Sequence, residues 1–504
     1  MKTNKIIIFI LSVVLFGTGC TDEFMDVKTT ASLTSVDAAV AMESDPAKLT
    51  GFVDAIYNVM VKYDLVSTSH DSFGYMAMLH AGDMMTEDIV SSKLSHFRYD
   101  YALDNREWNY RRTNMVWTYM YSIVSGSNTV LGLTSAESTS AQILAFRGQA
   151  LALRGMAYYY LIQHYQKLYP IANAGTLPGI PLYYAGNEGK ENKLGRNPIS
   201  EVLAQIELDL TTAVSNLEFA KNNGAARPAA SKNQVDYYVA NGLLARYYLL
   251  TEQWSKAVAA AKIAQTNYPV MTSEQTQDGF ISLTNGEYMW GYDHNTETST
   301  IYASFFSHIS NRTSGYAGLQ YAPRLIDKRL YETIPATDIR KKWFQDGTGS
   351  LVVTENVDAD ATGWKLPYAS LKFGSDGAFT QDYTYMRGSE MVLIEAEGLA
   401  QSGAAADAAT ALKKLMVNRD PSWNKTSVTV DEIWMQRRIE LWGEGFSFYD
   451  LKRFNKGIDR SYTGSNHEGS NKLVVPAGDK RWIYQIPQGE IQENPEISEE
   501  DNNE

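Results

Sequence analysis

The sequence predicts a mainly α-helical protein: tetratricopeptide-like helix pairs forming a superhelical scaffold, with a loop-rich insert containing a few short strands. Three observations carry this. Apolar residues recur with a helical period, as at Leu49, Phe52, Val53, Ile56, Val59 and Met60. Two adjacent helical patterns, 235–250 and 254–264, carry the small residues Gly242, Ala245, Ala257 and Ala261, which let antiparallel helices approach closely. A second such pair, 391–401 and 404–419, is joined through Gly403. Units of this kind bury their faces against neighbours. One continuous body over residues 46–504 is therefore expected, where 504 residues would otherwise suggest several domains.

Taken in order, the chain opens with Lys2 and Lys5, an apolar run over 6–16 broken only by Ser12, and small residues leading to Cys20. That is the pattern of a secretory signal, residues 1–19, and it is too short for a bilayer span of about 20 residues. Cys20 is the only cysteine, so it has no internal disulfide partner. Its position directly behind the signal predicts lipidation as the first residue of a mature lipoprotein. Removing residues 1–19 removes two lysines and no acids, leaving a net charge of −15. Residues 20–45 hold few large apolar side chains and read as a lipidated N-terminus and tether, with the folded body starting near Pro46.

Helical patterns follow at 46–62, 108–133, 140–168 and 199–219, while 64–107 reads as irregular and 170–197, with its prolines and glycines, as a loop. The tyrosines at 158, 160 and 165 sit at helical spacing and read as packing. Residues 268–390 change character and form the insert, with strands expected at 281–291 and 365–373 among turns rich in Gly, Asn, Thr and Tyr. Near the C-terminus, Arg437, Glu440, Leu441 and Glu444 share one helical face. Glu440 and Glu444 repel at this spacing, so cations such as Arg437 are expected beside them. Gly443 and Gly445 then loosen the helix, and Asp450 and Arg453 are spaced as another pair. Charges set among Phe446, Phe448, Tyr449 and Phe454 point to a paired, partly buried clamp rather than a solvated face.

Composition narrows the function. The 32 tyrosines outnumber the 17 phenylalanines, and there are 10 tryptophans, an excess of polar-edged rings that leans towards a binding surface. A net charge of −13 without a basic patch excludes nucleic acid as a partner. The richest stretch holds Trp290, Tyr292, Asp293, His294 and Asn295, followed by Tyr302, His308, Arg312, Tyr316 and Tyr321. Sugars stack a C–H face on flat rings and need polar partners for their hydroxyls, and this stretch supplies both. For Trp290, burial beneath the insert is the competing reading. The earlier segment adds His80, Asp83, Arg98, Tyr99, Tyr101 and Trp108. No catalytic or phosphate-loop motif is present. One cysteine rules out a cysteine metal cluster, and the seven histidines lack ligand spacing. No cofactor and no metal are expected, although calcium or magnesium on loop oxygens stays open.

The segment 436–453 closely resembles the C-terminal signature of the SusD/RagB family, surface lipoproteins of Gram-negative bacteria that capture nutrients. Arg437, Glu440, Leu441, Glu444, Gly445, Asp450, Leu451 and Arg453 match it, while Gln436 and Ser447 stand where the signature has an acid and an arginine. Arg154, Tyr158, Leu161 and Tyr165 resemble a second family segment, and Ile486, Pro487, Glu490, Asn494 and Pro495 the family's ending. Asp22 and Glu23 resemble its acidic surface-export tag. The resemblance implies an outer-membrane, lipid-anchored and cell-surface-exposed protein, not an enzyme. Such a protein binds oligosaccharide or polysaccharide and delivers it to a partner SusC-like TonB-dependent transporter, which it covers as a lid. It also implies glycan contacts in the insert and the early loop, here Trp290, Tyr292, Asp293, Asn295, Arg312 and Tyr316 with Asp83, Tyr101 and Trp108. Two alternatives remain: a peptide-binding RagB-like member, and a helical-repeat scaffold that binds only proteins.

Overall fold

Helices form wherever apolar residues recur every three to four positions, and several have a chemically defined start. The computed structural model describes residues 35–93, 95–167, 175–184 and 194–504. The expected signal, Cys20, Asp22, Glu23 and much of the 170–197 loop lie outside the described residues. The longer helices are α1 (Thr50–Val61), α2 (Tyr75–Met85), α3 (Arg111–Gly132), α4 (Ala141–Tyr165), α5 (Ile199–Asn222), α6 (Tyr237–Leu250) and α7 (Trp254–Ala264). After the insert come α8 (Gly388–Gln401), α9 (Ala405–Met416), α10 (Val430–Glu440) and the shorter α11 (Ser447–Arg453). Ser140 caps α4 by accepting from the Ile143 amide, and Asp236 caps α6 by accepting from Val239. Thr429 and Glu432 close a reciprocal capping box on α10.

From α3 to α9 each long helix packs on the next in chain order, α7 meeting α8 across the insert, and α1 lies against α3. This is the stacked helix-pair scaffold the sequence predicts. Close approach depends on missing Cβ atoms: one on Gly148 would sit 2.6 Å from Leu217 Cγ of α5, and one on Gly398 2.7 Å from Val258 Cγ2 of α7. Gly242 has a different role from the one expected. A Cβ there would meet Met386 Sδ at 2.3 Å, so Gly242 faces the insert's last strand rather than α7. Tyr158, Tyr160 and Tyr165 are buried, as a packing role requires. One hydrophobic cluster draws on residues from Leu49 to Ile497.

Three sequence expectations fail for identifiable reasons. Helix α2 lies inside the stretch read as irregular. It is buried on every side, so no amphipathic period marks it, and Gly74, at φ +77°, starts it. A helix at Ser35–Ser44 occupies much of the expected tether. Residues 365–373 form only isolated bridges, Ala369 to Leu325 and Ser370 to Phe344. The strand that pairs with β2 (Tyr288–Tyr292) is β4 (Tyr383–Arg387), antiparallel with Tyr292 opposite Tyr383. A second short pair, β1 (Ile89–Val90) with β3 (Leu325–Ile326), ties the early segment to the insert.

The charged C-terminal segment is a buried clamp. Glu440 receives Arg419 Nε at 3.0 Å, Arg387 Nη1 at 2.8 Å and Arg340 Nη1 at 3.2 Å. Burial alone would raise its carboxyl, but these guanidiniums hold it well below the ordinary 4.5. Glu444 is held low in the same way by Arg387 and Lys372. The neutralising cations therefore come from residues 340–419 and not from Arg437, whose Nε binds Asp450 at 2.8 Å. Arg453 binds the same carboxylate at 2.8 Å, as its spacing predicts. At the two departures from the signature, Gln436 accepts from Arg340 at 2.5 Å and Ser447 donates to Asp88 at 2.6 Å.

Candidate functional site

The β1–β3 pair brings the loop after α1 against the insert, and rings from both meet at the surface. Tyr63, His70 and His96 come from the early segment; Tyr302, Tyr316 and Tyr321 come from the insert. Tyr302 and Tyr321 are 45% and 62% exposed, unusual for large rings. The His70 ring stacks on His96 at 5.5 Å and lies within 9° of parallel to Tyr302 at 6.5 Å. Tyr316 stacks on the buried His308 at 4.8 Å and meets His96 edge-on at 4.7 Å. Its hydroxyl lies 2.9 Å from His70 Nδ1. Tyr321 and Phe379 extend the row, 6.4 Å from Tyr316 and 6.0 Å from Tyr302 respectively.

The backbone holds these rings under strain. Ile301 (φ +50°), Gln320 (φ +60°) and Phe379 (φ +54°) are non-glycine residues in the left-handed region. A β-branched residue there is a rare conformation, and each such position costs on the order of 1–3 kcal/mol. Ile301 and Gln320 immediately precede Tyr302 and Tyr321, so the strained turns are the ones that project the two most exposed rings.

Polar groups rim the platform. Ser69 donates to Asp71 at 2.7 Å and lies 3.3 Å from His96 Nδ1. Arg111 and Arg112 bind the same Asp71 carboxylate at 2.7 and 3.0 Å and, against its burial, hold it below the ordinary carboxylate range. Burial pushes the His96 and His308 imidazoles down, so both are neutral rings at pH 7. Stacking surfaces, hydroxyls and the partly exposed Arg111 guanidinium, fixed by the buried Asp71, are what an oligosaccharide chain engages. Among the described residues no group of three or more His, Cys, Asp or Glu is placed to hold a metal ion.

Tyr302, Tyr316 and Tyr321 of the aromatic stretch belong to this platform, but of the nine glycan contacts implied by the resemblance only Tyr316 does. Trp290 is fully buried at the centre of β2, where the Tyr385 ring of the paired β4 meets it at 5.1 Å and α6 lies against the strand. Tyr101 is equally buried, its hydroxyl 2.6 Å from His467 and its ring under the Arg460 guanidinium. Asp83 lies inside α2 and accepts from the Gly445 and Ser447 amides at 2.7 and 3.2 Å; burial pushes it up to about 8. Arg312 is buried between Gly279 and Gly374. These four hold the fold and present nothing to solvent. Tyr292 and Trp108 are half-buried away from the rings of the platform, while Asp293 is exposed at the end of β2. Asn295, also exposed, accepts from Glu297 and Thr298 to shape its own turn. Tyr63, His70 and His96 were missed. Histidine carries little stacking signal in a sequence, and the early segment that holds all three meets the insert's tyrosines only through the β1–β3 pairing.

A helix-pair scaffold presenting a solvent-facing aromatic row is the architecture of a binding protein. A family model described as the SusD family matches residues 236–503, and the chain belongs to that family. A second model, described as starch-binding associating with outer membrane, matches residues 23–249. A SusD-like carbohydrate binding protein from Bacteroides vulgatus is 26% identical and superposes with a TM-score of 0.77, covering 90% of this chain and 97% of its own. A laminarin binding SusD-like protein (19% identity, TM-score 0.64, covering 89% and 97%) shares the fold. So does surface glycan-binding protein A from Bacteroides uniformis (17%, 0.64, 91% and 99%). Among curated proteins nothing matches the chain. No helix of the described residues is long and apolar enough to cross a membrane.

Proposed function

We propose that this chain is a non-catalytic glycan-binding lipoprotein of the outer-membrane surface, anchored through Cys20. It would capture oligosaccharide on the platform of Tyr302, Tyr316, Tyr321, His70 and His96 and deliver it to a SusC-like TonB-dependent transporter. The observation that carries the reading is the exposed ring row, held by strained turns and rimmed by Ser69 and Arg111, which the buried Asp71 fixes from beneath. The outer-membrane description of the matching family model supports the location. The laminarin-binding and glycan-binding names of similar structures support the ligand class. The family resemblance supports the transporter as partner.

The test is affinity electrophoresis of the full chain in detergent, through gels containing laminarin, soluble starch and host-type polysaccharides. Retardation by one polysaccharide, lost in Tyr302→Ala and Tyr321→Ala, is expected. Each ring removed should weaken binding by about 0.5–1.5 kcal/mol, up to roughly tenfold in Kd. Retardation that survives both substitutions would move the site, and none with any polysaccharide would turn the reading towards a peptide ligand. Anchoring is tested separately: Cys20→Ala should move the protein from the membrane fraction to the soluble one. Association with the transporter is read by co-purification from solubilised outer membrane.

A further inference from the structure

A second cleft, on the helical scaffold, shares no lining residue with the platform. It has a volume of about 640 Å³ and opens where the start of α4 faces the end of α5 and the segment 223–238. Phe146, Ala145, Leu217 and Val235 form an apolar floor, three of them buried and Ala145 partly so. The volume lies in the range of small-ligand sites, and the floor is the surface such sites place beneath a ligand.

The polar groups around this floor are unusual. Gln149 is only 6% exposed, and its Oε1 accepts from the Tyr57 hydroxyl at 2.8 Å. Its amide nitrogen, on the cleft wall, donates to no group among the described residues. Its N–H groups reach the cleft and are free to donate to an acceptor there. Arg227, with a side chain 5% exposed, binds Asp236 Oδ2 at 2.7 Å and donates to the Gln234 carbonyl and the Tyr268 hydroxyl, bracing the wall of the cleft. At the rim, the Lys221 ammonium stands 4.8 Å from the Tyr237 ring and 5.5 Å from Tyr238, holding two rings that are 5.3 Å apart.

We infer that this cleft is a second carbohydrate site, one that takes a short neutral oligosaccharide segment by its end or side. An apolar floor and tyrosine edges suit the C–H faces of a sugar, while the Gln149 amide and the Lys221 ammonium donate to its hydroxyls. Charges in the wall nearly balance, and Glu218, which interacts with the Tyr237 hydroxyl, adds a further negative group, so an anionic ligand has no advantage. The lining comes from helices and the turn segment 223–236, and among the described residues none of it belongs to a strand to which an extended peptide could add. The inference rests on this cleft and not on the platform reading. A chain bearing two sites would hold a polysaccharide by avidity, each site binding modestly.

Saturation-transfer difference NMR on the full chain in detergent separates the two readings, with maltotriose, laminaritriose and triacetylchitotriose as probes and trialanine as the peptide control. The background is the platform-disabled variant Tyr302→Ala/Tyr316→Ala/Tyr321→Ala. Transfer to at least one trisaccharide in that background, lost on adding Tyr237→Ala or Gln149→Leu, is the expected result. Gln149→Leu removes a partner of Tyr57, so the half-exposed Tyr237 and Lys221→Ala serve as the variants that leave the fold intact. No trisaccharide transfer in the platform-disabled background, with transfer in the unmodified chain, overturns the second site and leaves the platform reading standing. Transfer in the unmodified chain that is untouched by the platform changes but lost in the cleft variants supports the cleft and overturns the platform. Transfer to trialanine alone, or to no probe in any variant, overturns the carbohydrate assignment.

Discussion

Trp290 and Tyr302 are both large rings in the insert, and their fates differ because of what covers them. Trp290 is wholly enclosed by β4 and the scaffold, whereas Tyr302 stands half in solvent behind a strained Ile301. Substituting them should give opposite signatures. Trp290→Ala should lower stability by about 3–5 kcal/mol, the usual cost of emptying a large aromatic site, and leave glycan affinity unchanged in the fraction that folds. Tyr302→Ala should lower affinity and leave the urea midpoint close to that of the unmodified chain, since half-exposed surface rings contribute little to the core. Measuring both midpoint and Kd for each variant checks the assignment, and a large affinity loss in folded Trp290→Ala would contradict it. The sequence could not separate the two residues. A tryptophan in an alternating, polar-flanked strand looks alike whether a second strand covers it or not.

Elements impose constraints of a different kind, clearest in the turn between α10 and α11. Gly443 and Gly445 adopt φ +75° and +90°, and a Cβ on Gly445 would lie 2.4 Å from Leu79 Cβ on α2. Gly445→Ala should therefore destabilise by more than about 1 kcal/mol, through both the backbone and the clash, with the thermal midpoint as readout. The helix that precedes this turn ends in Glu440, fully buried among three arginines. Glu440→Gln would leave those cations without their shared counter-charge, at a cost of about 3–5 kcal/mol. A near-neutral Glu440→Gln would show that the arginines rely chiefly on Asp338, Glu287 and Glu444. The need for cations near Glu440 and Glu444 was legible from their spacing. Which cations answer it was not, because Arg340, Lys372, Arg387 and Arg419 arrive from distant segments.

At the scale of the whole molecule, the clamp ties the insert to the last helix pairs and makes stability depend on pH. Glu440, Glu444 and Asp450 are all held below their ordinary values of 4.5 and 3.8 by arginine and lysine partners, despite burial. Carboxyls depressed in the folded state stabilise it fully above their unfolded values and lose that contribution as pH falls through the folded ones. Asp83 works in the opposite sense: raised to about 8, it favours the folded state below 3.8 and loses that contribution as pH rises towards 8. The thermal midpoint should therefore drop as pH falls below 4.5 and decline as pH rises from there to about 8, with Asp83→Asn removing the decline on the alkaline side. A flat midpoint down to pH 3 would contradict the clamp's role. The sequence by itself determined the scaffold, since helical periodicity, close-packing small residues and cap residues are local properties that act within a few turns. It also carried the signature segment and the aromatic excess. Only the tertiary structure decided where the rings go, because exposure is a property of what packs on top. The pairing of Ile89–Val90 with Leu325–Ile326 joins His70 and His96 to Tyr302 and Tyr316 across more than two hundred residues, and no local pattern records a contact of that range.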